Sequence, residues 1–248
     1  MHRHLEEYTL NTWPAEHTKL LNGWLLRYAS GYTKRSNSVS SLYWSTDGNV
    51  LDAIRSVEKC YMEYGQDVIF KITPFINPSG LDEVLNSEGY TSIDHSSVRQ
   101  VDLDEVVEPN GSTHALIKEE CDEQWLDQLA MMNGLSQKQK DTTRRLLKGS
   151  PLKQAFVTLF QNDIPVAVGL GVIDCDYIGL YDIVTNAQFR RRGYGEQLVL
   201  HILKWGKANA AKYSFLQVVQ ANLAAIRLYD KLGYKELYEY SYRRKRLE

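Results

Sequence analysis

Residues 177–210, YIGLYDIVTNAQFRRRGYGEQLVLHILKWGKANA, constrain the fold more than any other stretch of the chain. Up to Thr185 the residues are β-branched, aromatic and apolar, which predicts a strand. After Gly195, Leu198, Val199, Ile202 and Leu203 recur at helical spacing, which predicts an amphipathic helix. Between them stand Arg190, Arg191 and Arg192, then Gly193 and Gly195. A strand running through a glycine turn into a helix must return to a further strand, so the chain is expected to build an α/β fold. The same turn offers backbone N–H groups and a positive dipole end at the helix start, where arginines and glycines favour an anion.

The flanking segments extend this reading. "EECDEQWLDQLAMMNGL" and "SQKQKDTTRRLL" have helical spacing, whereas 153–185 reads as strands with a hairpin turn at Asn162-Asp163. "YSFLQVV" reads as a short buried strand, "NLAAIRLYDKL" as a helix ended by Gly233, and "YKELYEYSYRR" as a last strand. The expected result is a mixed sheet with helices on its faces. The first half carries a fainter version of this order. "FKITPFINPSGLDEVLNSEGY" parallels "FLQVVQANLAAIRLYDKLGY", and the offset from Phe70 to Phe215 maps Gly193 onto Gly48 in "STDGNV". The polar stretch 102–114, with Pro109, Asn110 and Gly111, breaks the pattern. The expected division is 1–105, a linker at 106–114, and 115–248.

Composition excludes several classes. Of 248 residues, 43% are hydrophobic and 24% charged, an ordinary globular balance. The net charge of −2 gives no global field for nucleic acid or an anionic membrane, so anion binding must be local. Cys60, Cys121 and Cys175 form neither a disulfide framework nor, with the scattered histidines, a zinc site. The start MHRHLEEYTL has no secretory pattern and no apolar run is long enough to span a membrane, so a cytoplasmic protein without metal is expected. The end "RRKR" (243–246) reads as an exposed basic terminus, and His201 as an exposed residue of the loop helix.

Nucleotide motifs fail. A dinucleotide fingerprint needs glycine at Leu198, and no P-loop run exists. The downstream residues are more informative: Asn222 sits where it can cap a helix, and Tyr229 lies two turns later on the same face. Arg190-x-x-Gly193-x-Gly195, followed by Asn222, Tyr229 and Leu232-Gly233-Tyr234, resembles the GNAT superfamily of acetyl-CoA-dependent N-acetyltransferases. The resemblance covers about residues 115–245. "NGWLLRYASGYTKRSNSV" (22–39) is similar to the first half of bacterial GNAT proteins built from two GNAT-like halves. In such proteins the first half lacks a working cofactor site. Here Asp47 stands where an arginine would be and Leu85 lies near the Tyr229 position, which agrees with that loss.

The resemblance implies acetyl-CoA as cosubstrate. Its pyrophosphate would rest on the amides of Arg191, Arg192, Gly193, Tyr194, Gly195 and Glu196, with Arg190 beneath and Asn222 alongside. Its pantetheine arm would lie along Ile183, Val184 and Thr185 like an added strand, opened by a bulge. Tyr229 matches the proton donor to the leaving sulfur. The base is open among Asp182, the first choice, and Glu236 or Glu239; strand alternation would turn Asp182 away from the face of Tyr181. Tyr238, Tyr240 and Tyr242 alternate on one strand face, as sheet packing or as an acceptor wall. The acceptor would be a small-molecule or peptide amine, with no nucleic acid or membrane partner and a monomer or homodimer as the assembly. The rival reading is a non-catalytic acyl-CoA-binding protein with the same fold.

Overall fold

The computed structural model describes residues 2–44, 48–110 and 113–246. The first half runs α1 (Arg3–Thr12), β1 (His17–Leu21), β2 (Trp24–Tyr28), β3 (Val39–Ser40), α2 (Val50–Glu63), β4 (Val68–Ile72), α3 (Leu81–Ser87) and β5 (Thr91–Asp102). The second runs β6 (His114–Lys118), α4 (Glu123–Asn133), α5 (Gln137–Lys148), β7 (Lys153–Gln161), β8 (Ile164–Asp174), β9 (Tyr177–Thr185), α6 (Tyr194–Ala208), β10 (Tyr213–Val219), α7 (Leu223–Lys231) and β11 (Lys235–Lys245).

Local chemistry explains several boundaries. Ser136 and Gln139 form a reciprocal capping box that starts α5. Asp122 accepts from Trp125 N to start α4, which ends at Gly134 in the left-handed region. Asn162 and Asp163 both have positive φ, 49° and 61°, as a tight β7–β8 hairpin requires.

The described strands form a single mixed sheet in the order β1-β2-β3-β4-β11-β5-β10-β9-β8-β7-β6. β3 with β4 and β9 with β10 are the parallel pairs; the other neighbours are antiparallel. The two halves exchange their last strands. β5, which ends the first half, lies between β10 and β11, while β11 reaches back to pair with β4 (Ser241↔Ile72 to Lys245↔Val68). The sheet is therefore continuous across the 106–114 stretch.

Leu198, Val199, Ile202 and Leu203 of α6 are buried against the second half of the sheet. Gly169 and Gly171 let the helix lie close: a Cβ there would fall 2.7 Å from Ile183 Cδ1 or 2.6 Å from Ile202 Cγ2. α2 and α3 bury Ile54, Val57, Leu81 and Leu85 with Trp24 and Phe70 in the first half. On another face, Trp13 joins Trp125, Leu126, Phe156 and Tyr181.

The polar start of the chain forms α1, with Leu5 and Glu6 buried and Glu6 accepting from Lys71 Nζ at 2.6 Å and from Tyr238 Oη at 2.5 Å. Two expectations are corrected. The basic run at 243–246 is not a loose terminus. Arg243 binds Asp82 at 2.7 Å, Arg244 binds Asp67 at 2.5 Å and Lys245 binds Glu58 at 2.9 Å, so second-half cations meet first-half carboxylates. His201 is half-buried near Thr113, and burial lowers its pKa.

Candidate active site

The cleft begins with one extra residue in β9. Val184 pairs with Val168 and Tyr181 with Leu170, so Asp182 and Ile183 together oppose Gly169. Asp182 takes the strain at φ 50°. On the other side, β9 follows β10 from Tyr177↔Tyr213 to Leu180↔Leu216, and the pairing stops there. Beyond it the strands part, leaving the β10-facing edge of Ile183, Val184 and Thr185 without a strand partner among the described residues.

Arg35 of the first half lies beside this part of β9. The Arg35 guanidinium lies 5.3 Å from the Tyr181 ring centroid and its charge acts on the Asp182 carboxyl. Burial pushes Asp182 up to about 6, with Arg35 opposing that rise. Oδ2 of Asp182 is buried and has no hydrogen-bond donor among the described residues.

The arginine–glycine turn follows directly. Asn186 N donates to Val166 O at 2.9 Å and its side chain accepts from Gln188 N, closing a short turn over Ala187–Phe189. Arg191 (φ 61°) and Gly193 (φ 82°) both adopt the left-handed region, which swings the chain into α6. Gly193 supplies no side-chain cap, and the first amides of a helix lack intrahelical partners, so this end presents N–H groups outward. Arg190, Arg191 and Arg192 are exposed around it; Arg190 Nε donates to Thr185 O at 3.4 Å, and Arg192 lies over the Phe189 ring. A Cβ on Gly195 would stand 3.3 Å from Thr185 Oγ1 and 3.6 Å from Leu228 Cδ2, which seats the start of α6 against β9 and α7. Glu196 binds Lys231 of α7 at 2.6 Å.

Asn222 caps α7, its side chain accepting from Ala225 N at 3.2 Å. Tyr229 is buried on that helix beside Tyr234, and desolvation pushes its hydroxyl up to about 12. No protein hydrogen bond holds that hydroxyl among the described residues. Glu236 and Glu239 are exposed: Glu236 lies 4.0 Å from Arg99, and Glu239 accepts from Gln220 at 2.5 Å. In the first half Leu85 is fully buried in the core, while Asp47 lies outside the described residues.

A cavity of about 200 Å³ adjoins the end of β10, lined by Thr33, Lys34 and Arg35 with Gln217, Tyr240 and Tyr242. Tyr240 Oη donates to Gln217 Oε1 at 3.2 Å, and Tyr238 is occupied by Glu6, so the alternating tyrosines serve both packing and the cavity wall. Arg35 is a lining residue that the sequence does not reveal, because nothing along the chain places 33–35 beside β9. The cysteines are free, and among the described residues no acidic, histidine or cysteine cluster could hold a metal ion. No described helix is long and apolar enough to cross a membrane.

A family model described as "Probable histone acetyltransferase Rv0428c C-terminal" matches residues 2–243. The chain is 31% identical to the uncharacterized N-acetyltransferase YobR of Bacillus subtilis, over 98% of each chain. Its fold is similar to that of a GCN5-related N-acetyltransferase from Kribbella flavida, with TM-score 0.75 at 14% identity, covering 100% of this chain and 96% of that one. It is also similar to a tandem GNAT protein from the clavulanic acid biosynthesis pathway, with TM-score 0.66 at 9% identity, covering 82% and 72%. With a match along nearly its whole length and the splayed strands, arginine–glycine turn and capped α7 in place, the chain belongs to the GNAT family of N-acetyltransferases.

Proposed function

We propose that the enzyme transfers the acetyl group of acetyl-CoA to a primary amine of a small molecule or peptide, by direct attack in a ternary complex. The observation that carries this reading is the cleft at Asp182, opened by the bulge and by the end of β9–β10 pairing beside the arginine-flanked start of α6.

The residues fit the cosubstrate. The unpartnered edge of Ile183, Val184 and Thr185 suits an arm that binds like a strand. The amides from Arg191 to Glu196, with the three arginines, suit a pyrophosphate. Asn222 caps α7, the helix that Lys231 ties to Glu196 at the start of α6. When bound, acetyl-CoA supplies an activated thioester. The amine nitrogen bonds to the acetyl carbon as the carbon–sulfur bond breaks. Asp182 takes the proton that the amine gives up, and Tyr229 returns one to the sulfur. A carboxyl raised to about 6 remains mostly ionised at neutral pH, yet is more basic than an ordinary aspartate.

The test is incubation of the full chain with acetyl-CoA and a panel of amines, following free thiol and acetylated amine by mass. Amine-dependent thiol release with one acetyl group added is expected. Tight coenzyme A binding with no transfer to any amine would mark a binder that keeps the fold without the chemistry.

A further inference from the structure

The cleft beside Asp182 has a wall from the first half. The segment after β2 is tied down by Asn37, whose Oδ1 accepts from Ala29 N at 2.7 Å and Gly31 N at 3.0 Å and whose Nδ2 donates to Thr33 O at 2.7 Å. Arg27, almost wholly buried, donates to Arg35 O at 2.9 Å, to Leu10 O at 3.2 Å and to Trp13 O. These bonds join β2, the end of α1 and the 34–36 turn, and they deliver Lys34 and Arg35 to the cavity.

The two cations differ. Lys34 is neutralised by Asp94 at 2.5 Å. Arg35 rests on aromatic faces, 4.9 Å from the Trp13 ring centroid and 5.3 Å from that of Tyr181. Among the described residues no carboxylate lies within ion-pair reach of its guanidinium, and no acceptor takes its side-chain N–H groups. Stacking fixes the plane of the guanidinium and leaves its donor fork unused. On the neighbouring strand, Asp182 Oδ2 is buried without a donor, and no ion pair joins it to Arg35. Arg35 over the Tyr181 ring and Asp182, the next residue of that strand, therefore bring a cationic and an anionic group to one stretch of β9, neither with a hydrogen-bonded or ion-paired partner among the described residues. Their complement is a molecule carrying both charges.

We infer that the acceptor is an amine bearing a carboxylate close to its amino group, with Arg35 binding the carboxylate and Asp182 facing the amine. The inference rests on the acetyltransferase reading and adds the substrate class. A bidentate guanidinium–carboxylate contact supplies geometry as well as charge, so it discriminates against the same amine without the carboxylate.

Matched pairs test this: L-alanine with ethylamine, L-phenylalanine with 2-phenylethylamine, L-lysine with 1,5-diaminopentane, and 4-aminobutanoate with butylamine. Binding is measured by calorimetry on the full chain saturated with coenzyme A, and transfer by thiol release with acetyl-CoA. In at least one pair the carboxylate-bearing member should bind about tenfold tighter. Arg35→Gln should abolish that difference between the members of a pair, and Arg35→Lys should restore part of it. Should Arg35→Gln not fold, propionate on the wild-type chain gives the same readout, weakening the carboxylate-bearing amines and sparing their partners. Equal or tighter binding of the carboxylate-free member in every pair overturns the inference, as does a preference that survives Arg35→Gln or resists propionate. Arg35-dependent binding without thiol release from any amine supports the carboxylate site and counts against the acetyltransferase reading alone.

Discussion

Asp182 combines a bulge, a left-handed φ, an unpartnered oxygen and a raised pKa in one residue. Two consequences pull in opposite directions. If it is the base, kcat/KM should fall below an apparent pKa of about 6, and Asp182→Asn should remove that limb and cost at least about a hundredfold in rate. The Arg35 charge opposes the rise, and the Tyr32 hydroxyl, pushed up to about 12 by burial, stays neutral across this range. For stability the sign is reversed from the usual aspartate. Burial raises the folded pKa from 3.8 to about 6, so the folded state holds its proton more tightly than the unfolded chain. The penalty is absent below about pH 4, grows as pH rises through 6, and is complete above it. Asp182→Asn should therefore be more stable at pH 8 by up to about 3 kcal/mol and indistinguishable from wild type near pH 4, as denaturant melts at both values would show. Tyr229 makes a cleaner contrast. Its hydroxyl has no protein partner among the described residues, so Tyr229→Phe should change stability by less than about 1 kcal/mol while lowering kcat about a hundredfold.

At the scale of elements, the β9–turn–α6 unit was legible because its chemistry is local. Gly193 is left-handed where α6 begins, and a Cβ at Gly195 would press to 3.3 Å from Thr185 Oγ1. Gly193→Ala has open space for its methyl group but not the φ, so it should cost about 1–2 kcal/mol and weaken coenzyme A binding by about tenfold, measured by calorimetry and thermal melts. The hairpin at Asn162-Asp163 was readable for the same reason: turn chemistry is set by adjacent residues. The one inserted residue at Asp182–Ile183 has no mark in the alternation of the sequence, because it depends on how β9 registers against β8. The 34–36 turn was hidden for a different reason. Its place beside β9 depends on Arg27 and Asn37 binding carbonyls and amides far from any motif.

At the scale of the whole molecule, the repeat in sequence order is not the arrangement in space. Order along the chain suggests two adjacent units, whereas pairing shows each half completed by the other's last strand. No local pattern encodes that exchange, since β5 and β11 would read identically in either partner. The basic run at 243–246 held the hidden signal, matched to Asp67, Asp82 and Glu58 across the seam. Fragments 1–105 and 113–248 expressed separately should each aggregate or remain unfolded, whereas co-expression should yield one assembled, coenzyme A-binding complex; a stable monomeric 1–105 fragment would contradict this. Removing 243–248 should lower the melting temperature of the intact chain, because β11 then loses its anchors to α2, α3 and the start of β4. The same exchange bears on how the chain is made. While the ribosome is still adding residues 106–234, β4 and β5 have no strand between them, and their paired state waits for the last segment to emerge. The first half thus keeps open β edges until β11 emerges, so its folding is deferred to that point, and slowed translation or a premature stop near residue 234 should leave an aggregation-prone nascent chain rather than a half-built enzyme.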